Sequence, residues 1–299
     1  GVSQFVEGLA PKYLHRGKGS HVWDVDGNEY IDFVMACHPL ILGYADPDVN
    51  GAVAAQLELG STFSMMNELE VDVTELLIDA VPCAEAARFG KNGADATTVG
   101  VRIARAVTGR DHIAYCGYHG WHDWYIANTD LNSGIPKFNQ ELAHSFNYND
   151  LDSLERIFKA NPGQVAIVIL EPLTVLEPKG RFLHEVKRMA HHYGALLMFD
   201  EIITGFRFAF GGAQELTGVT PDLTSLAKAI SNGIPLSAIV GKKEYLFALE
   251  KTFFSFTYGG DCIGLAAAKA CIPKLEREKV PEHLWKVGAV LKDGFNRLA

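Results

Sequence analysis

Two alternating runs of apolar and polar residues, HVWDVDGNEYIDFV over 21–34, are joined through Asp26-Gly27. They predict a hairpin that turns where glycine tolerates positive φ. From about residue 45 the apolar spacing widens to three and four residues, the helical period, over 47–59, 68–80, 94–107, 150–160, 182–193 and 264–279. Between these stretches lie short runs that are apolar throughout: HIAYC (112–116), VAIVIL (165–170), ALLMF (195–199) and LSAIV (236–240). Runs without alternation suit strands covered on both faces, as in a parallel sheet. Strands interleaved with helices predict an α/β layer domain. The tail, VPEHLWKVGAVLKDGFNRLA, is helical in pattern, and the sequence stops inside that element.

Composition narrows the possible chemistry. The 299 residues are 48% hydrophobic and 21% charged, with a formal net charge of −9 and no long basic run. That balance argues against a nucleic-acid or anionic-membrane surface. No apolar run approaches the roughly 20 residues of a membrane span, and GVSQFVEGLAPKYLHRGKGS lacks the apolar core of a secretory signal. The expectation is a soluble, cytoplasmic protein. Five cysteines (Cys37, Cys83, Cys116, Cys262 and Cys271) are odd in number, lack C-x-x-C spacing and lie in apolar contexts, which predicts reduced core residues.

Two apolar runs end in acids: VAIVIL in Glu171-Pro172 and ALLMF in Asp200-Glu201. Ligands of open parallel sheets bind beyond the carboxyl ends of the strands. A partly desolvated acid there needs a cationic answer; a helix cap, or a salt bridge to Arg207, is the plainer alternative. Lys228, in SLAKAISNGIPL, lies 28 residues after Asp200 among small apolar neighbours. Such a lysine usually extends its ammonium into water. Shielding lowers its pKa, however, and a neutral amine is what attacks a carbonyl to form a Schiff base. Lysine plus acid is the pairing used with pyridoxal phosphate, the acid holding the pyridinium nitrogen protonated.

A phosphate site is available in FGKNGADATTVGVRIARA (89–106), where Gly93 precedes a clear helix whose first N–H groups are free. Neither G-x-G-x-x-G nor G-x-x-x-x-G-K-[ST] occurs, which argues against dinucleotide and P-loop readings. GYHGWHDWY (117–125) places His119 and His122 three apart, but no helix and no third ligand is evident to complete a metal site. An aromatic residue stacking on a cofactor ring suits the segment better.

The motifs WDVDGNEYIDF, NGADA, YHGWHD, EP, FDEIITGFR, AKAISNGIPLSAIVG and TYGG stand in the order found in one known family. From about residue 8 onward the chain resembles the class III pyridoxal-phosphate-dependent aminotransferases, in particular the branch of glutamate-1-semialdehyde 2,1-aminomutase. The resemblance implies a fold-type I transferase with a mostly parallel sheet between helices. Residues 45–262 would form the large cofactor-binding domain; 1–44, with the hairpin, and 263–299 would belong to a small, incomplete one. It implies pyridoxal 5'-phosphate as cofactor and no metal. Lys228 would form the Schiff base and shuttle the proton, and Asp200 would pair with the pyridinium nitrogen. Ile202 and Tyr118 would pack on opposite ring faces, with His119 and Glu171 around them. Gly93 and Ala94 would hold the phosphate. Thr257, of TYGG, would reach the phosphate of the neighbouring subunit, so that a homodimer shares its active sites.

Three features depart from the family's pattern. The sequence stops within the first helices of a further C-terminal lobe, as a fragment or a naturally short form would. Asp261-Cys262 stands where many relatives carry Asn-Pro or His-Pro. The arginine that binds the aminomutase's substrate carboxylate has no evident counterpart near EGLAPKYLHR, which offers Lys12 and Arg16. The implied activity is transfer of nitrogen from an amino donor, glutamate, to a carbonyl acceptor. The alternatives are the intramolecular aminomutase reaction and a non-catalytic member that binds a partner.

Overall fold

A computed structural model of the chain describes residues 10–299; the first nine residues of the expected N-terminal segment lie outside the described residues. The hairpin forms as β2 (His21–Asp24) and β3 (Glu29–Ile31), and a strand not anticipated from the pattern, β1 (Leu14–Lys18), pairs antiparallel with β2. Asp24 ties the turn, accepting from the backbone N–H groups of Asp26 and Asn28 and from Tyr30 Oη.

Helices α1 (Pro47–Leu59) and α2 (Glu68–Ala80) follow, with the bounds that apolar spacing predicts. Asp46 caps α1, its side chain accepting from Asp48 N and Val49 N ahead of Pro47 at the helix start. The sheet then opens with β4 (Ala86–Gly90), α3 (Gly93–Thr108) and β5 (His112–Cys116). Two short helical turns, α4 (Asp123–Ile126) and α5 (Asn139–Leu142), lead to the edge strand β6 (Ala143–Ser145). Next come α6 (Leu151–Ala160), β7 (Val165–Leu170), α7 (Phe182–His192), β8 (Leu196–Asp200), α8 (Ala213–Thr217) and β9 (Leu223–Leu226). A 3₁₀ turn over Lys228–Ser231 leads to β10 (Ser237–Gly241), α9 (Lys243–Leu246), α10 (Cys262–Arg277) and α11 (Val280–Leu298).

The seven strands lie in the order β4-β10-β9-β8-β7-β5-β6. Pairings among β6, β5, β7, β8 and β9 are parallel, and β10 runs antiparallel to both β9 and β4. Strands β4, β5, β6, β7, β8 and β9 therefore all point one way. Every residue of β7 is buried, and from Ile167 on its side chains divide between the two faces. Ile167 and Ile169 join the α3 side with Met198; Val168 and Leu170 join Leu197 and Phe199 under α6 and α7. Each such aliphatic side chain removed from water contributes about 1.5–3 kcal/mol. A third apolar cluster fills the space between β4, β10 and the helices α1, α2 and α10. Lys274 of α10 locks that packing, bonding Asp46 and Asp48 at the start of α1, both at 2.8 Å.

The cysteines divide. Cys83, Cys262 and Cys271 are buried and Cys116 is half-buried, but Cys37 is exposed, contrary to the expectation of five core thiols. It lies in a run, Met35–His38, in which four successive residues adopt positive φ. No described helix is long and apolar enough to cross a membrane.

Candidate active site

Six codirectional strands bring their carboxyl ends to one edge of the sheet, and five of them lead into the site. At that edge Gly90 leads into Asn92 and Gly93, Cys116 into Tyr118 and His119, and Leu170 into Glu171; Asp200 ends β8, and Leu226 leads through Ala227 to Lys228. Gly93, Ala94, Tyr118, His119, Glu171, Asp200, Ile202 and Lys228 line one cavity of about 220 Å³. Asn92, Gly120, Trp121 and Ile203 complete its wall. A second cavity of about 200 Å³ shares Asn92, Gly93 and Lys228 and continues past Pro39 and Lys91. Thr257 lies elsewhere, in a cavity lined by Phe63, Met65, Arg88 and Phe256.

The two acids that follow β8 separate. Asp200 is buried on the cavity side: Oδ1 accepts from Ser225 Oγ at 3.0 Å and from Ile202 N at 3.2 Å, and Oδ2 meets His119 Nδ1 at 2.8 Å. His119 Nε2 lies 3.1 Å from the Cys116 carbonyl. Both ring nitrogens thus face oxygen atoms. A carboxylate has about four lone-pair sites, so three partners leave Asp200 one more. Glu201 turns the other way, accepting from Thr204 Oγ1, Ala213 N and Gln214 N. Burial pushes its pKa up, against those hydrogen bonds. Neither acid pairs with Arg207, whose Nη2 donates to the His38 carbonyl at 2.6 Å.

Lys228 departs from ordinary backbone geometry. Its φ is 52°, left-handed, where a side chain bearing Cβ costs about 1–2 kcal/mol. Strain of this kind persists where surrounding packing over-determines the conformation; Ala229, Ile230 and Ser231 after it are buried. The Nζ makes no hydrogen bond or ion pair among the described residues. Burial pulls its pKa below the usual lysine value, partly offset by the charges of Asp200, Cys37 and Glu171. Burial likewise raises Glu171, opposed by the Tyr118 N–H on its Oε1 at 2.8 Å.

At the other end of the cavity α3 begins at Gly93. Asp95 Oδ2 accepts from Lys91 N at 3.0 Å and Asn92 N at 2.7 Å. The N–H groups of Gly93 and Ala94, at the first two helical positions, have no intrahelical acceptor. A Cβ on Gly93 would come 2.5 Å from Ile202 Cδ1, so any larger residue here would push the Ile202 side chain aside.

The histidines do not make a metal site. His119 goes to Asp200, while His122 Nδ1 lies 2.6 Å from Thr98 Oγ1 ahead of α4. No cluster of three potential ligands exists among the described residues.

The sequence model of the aminotransferase class-III family matches residues 7–299. The chain belongs to that family. The chain is 43% identical over 284 residues to the 3-aminobutyryl-CoA aminotransferase of Cloacimonas acidaminovorans, covering 92% of this chain and 68% of that protein. It is 37% identical over 310 residues to the glutamate-1-semialdehyde 2,1-aminomutase of Roseiflexus castenholzii, covering 98% and 71%. Among solved structures, the Sphingopyxis sp. MTA144 FumI protein in its PLP internal aldimine form superposes with a TM-score of 0.91 at 31% identity, over 97% of this chain and 71% of that one. An omega-transaminase from Sphaerobacter thermophilus gives 0.83 at 31%, over 90% and 67%. The chain is therefore an enzyme of this family whose cofactor is pyridoxal phosphate. Its residues fit that group. The open glycine end with free N–H donors suits a phosphate, the spare Asp200 site suits a pyridinium N–H, and the unpartnered amine of Lys228 suits an aldehyde.

Of the residues at this edge, sequence reasoning missed Ser225, because GVTPDLTS (218–225) reads as loop. It missed Asn92, Gly120, Trp121 and Ile203 as cavity walls, although each adjoins a residue it named.

Proposed function

We propose that the enzyme moves an amino group from an amino donor, glutamate, to a carbonyl acceptor, with Lys228 as the residue that holds the cofactor. The observation that carries this reading is the meeting of Lys228 and Asp200 at one cavity from the adjacent strands β9 and β8. Bound there, pyridoxal phosphate supplies an aldehyde that condenses with amines and a ring that withdraws electrons from the carbon bearing the nitrogen. The chain's own groups do the rest. Gly93 N and Ala94 N bind the phosphate, and Asp200, held by Ser225 and His119, keeps the ring nitrogen protonated. Ile202 and Tyr118 flank the ring, Tyr118 being exposed and its ring edge-on to Tyr125. Glu171 lies beside Tyr118 and His119. Lys228 Nζ, whose pKa burial pulls down, takes up and returns the donor's proton. The donor departs as a carbonyl product, leaving its nitrogen in the site, before the acceptor binds and takes that nitrogen away, a ping-pong cycle.

The homodimer belongs to the same reading. Thr257 lies outside its own chain's cavity, so a phosphate contact requires a second subunit. We also take the enzyme to be cytoplasmic, and residues 45–262 as the cofactor-binding unit between 1–44 and 263–299. The burial of α10 against α1 and α2 bears on the second boundary; a chain cut at 262 should fail to fold.

The deciding experiment is borohydride reduction of the cofactor-loaded enzyme, followed by peptide mapping. One labelled peptide containing Lys228 is expected; label on Lys242 or Lys243 overturns the assignment. Incubation with glutamate 1-semialdehyde alone then separates transfer between molecules from the aminomutase reaction. Conversion without a second substrate would replace the transaminase reading by the aminomutase one.

A further inference from the structure

One stripe of α3 lines a cavity that the chemistry at Lys228 does not use. Thr98, Val101, Arg102 and Arg105 stand at helical spacing along it and share the lining with residues of α4 and α5. The space is about 510 Å³, against about 220 Å³ for the cofactor cavity, and lies within the range of pockets that take small organic ligands. The cofactor cavity uses Gly93 and Ala94 at the start of α3. At 1.5 Å per residue, Arg102 and Arg105 stand roughly 12 and 17 Å further along the helix than Ala94. Trp121 alone belongs to both linings.

Both arginines are held by backbone oxygens rather than by acids. Arg102 Nη1 donates to the Phe253 carbonyl at 2.7 Å, and Arg105 Nε donates to the Asp111 carbonyl at 2.9 Å. Each bond uses one of five N–H protons and aims the guanidinium without neutralising it. No carboxylate lies within ion-pair distance of either among the described residues. Burial pulls the Arg105 pKa down, partly offset by the charge of Asp111. Asp123 is the single acid in the lining, set against the two cations. The rest of the wall is largely aromatic. Trp124 is pinned, its Nε1 donating to Thr98 Oγ1 at 2.9 Å, with His122 Nδ1 2.6 Å from the same oxygen. Trp121 and Phe138 are exposed, and the Trp121 ring meets His122 edge-on with centroids 5.1 Å apart. Such rings offer faces on which a flat ligand stacks.

We propose that this cavity is a second binding site, for a small organic acid with a flat aromatic body. Its acid group meets Arg105 and Arg102, whose planar forks match a carboxylate in paired hydrogen bonds. Its rings lie against Trp121 and Phe138. The site is separate from that of the reacting substrate, since Lys228, Asp200 and Glu171 are absent from its lining. It requires no particular reaction at Lys228.

The test is calorimetric titration of the cofactor-loaded enzyme with 2-naphthoate, and with 2-naphthamide, which keeps the rings and lacks the charge. The acid should bind saturably and the amide about ten- to a hundred-fold more weakly, the range for a lost charge-assisted hydrogen bond. Arg105→Gln should weaken the acid by a similar factor and leave the amide's affinity and the melting temperature little changed. Arg105→Lys should recover part of the loss, since it restores the charge without the fork. Saturating glutarate, a dicarboxylate without rings, should not displace the acid. No saturable binding, equal affinity for acid and amide, or an affinity unchanged in Arg105→Gln overturns the proposal. So does displacement by glutarate, or a loss of affinity matched by a fall in melting temperature in both variants. Borohydride labelling away from Lys228 would refute the proposed reaction and leave this site standing, so the two failures are distinguishable.

Discussion

Replacing Asp200 by asparagine removes one charge and almost no volume, and the structure says what each neighbour would then do. The amide oxygen can still accept from Ser225 Oγ and Ile202 N, now at 3.0 and 3.2 Å. The amide nitrogen would face His119 Nδ1, which can turn acceptor while Nε2 keeps its proton for the Cys116 carbonyl. Every polar group at this buried position keeps a partner, so the fold should lose no more than about 1 kcal/mol. Catalysis should suffer more. An amide cannot hold the cofactor's ring nitrogen in its protonated form, and a hydrogen bond to a charged group is worth about 1.5–3 kcal/mol. Expressed in the transition state, that is roughly ten- to a hundred-fold in rate. Stopped-flow absorbance of the half-reaction with an amino donor measures the rate, and thermal melting of the same samples measures the fold. An undiminished rate would remove Asp200 from the ring nitrogen. A slow enzyme that melts many degrees lower would mean that Asp200 serves the sheet edge rather than the chemistry.

Lys228→Gly should abolish turnover yet melt no lower than Lys228→Ala, reversing the usual order of these residues, because the position is left-handed; differential scanning calorimetry of the two cofactor-free proteins decides it. The lowered pKa of Lys228 means that the unfolded chain binds the extra proton first, so its contribution to stability rises with pH from the depressed value up to the ordinary lysine range. Lys228→Met should flatten that alkaline slope in denaturant titrations; an unchanged slope would assign it to another group. Glu171, raised by burial, is the opposite case: the folded state holds its proton longer, and stability falls as pH rises through the interval above the ordinary carboxylate value. Glu171→Gln should therefore stabilise the protein at pH 7 and change little near pH 4, with equal effects at both pH values counting against the burial argument. Gly93→Ala should weaken cofactor binding, read by fluorescence titration, because its Cβ meets Ile202.

The central sheet was legible where burial is uniform. VAIVIL and HIAYC form strands with the bounds their composition predicts, and α1 and α2 begin and end where the apolar period does. It was not legible where polar residues are buried in pairs. Thr224 and Ser225 make β9 read as loop, yet Thr224 meets Gln214 and Cys83, and Ser225 meets Asp200. Those partners are distant in sequence, so no local pattern announces them. Edge strand β6, three residues long, is too short to show a period. Lys228, Asp200 and the glycine loop could be named because each sits in a compact motif. Arg207 and His38 could not be brought together, since 169 positions separate them and only the fold closes that distance.

The cavity wall spans the chain from Asn92 to Lys228 and is stitched from the ends of five separate strands. Contacts so far apart in sequence form late in folding, because loop closure must precede them. A molecule that recognises only the finished edge cannot guide early collapse; it captures the last state and holds it by mass action. Pyridoxal phosphate added during refolding should leave the early rates alone and slow the final unfolding, so that cofactor loading works as a census of completely assembled sheets.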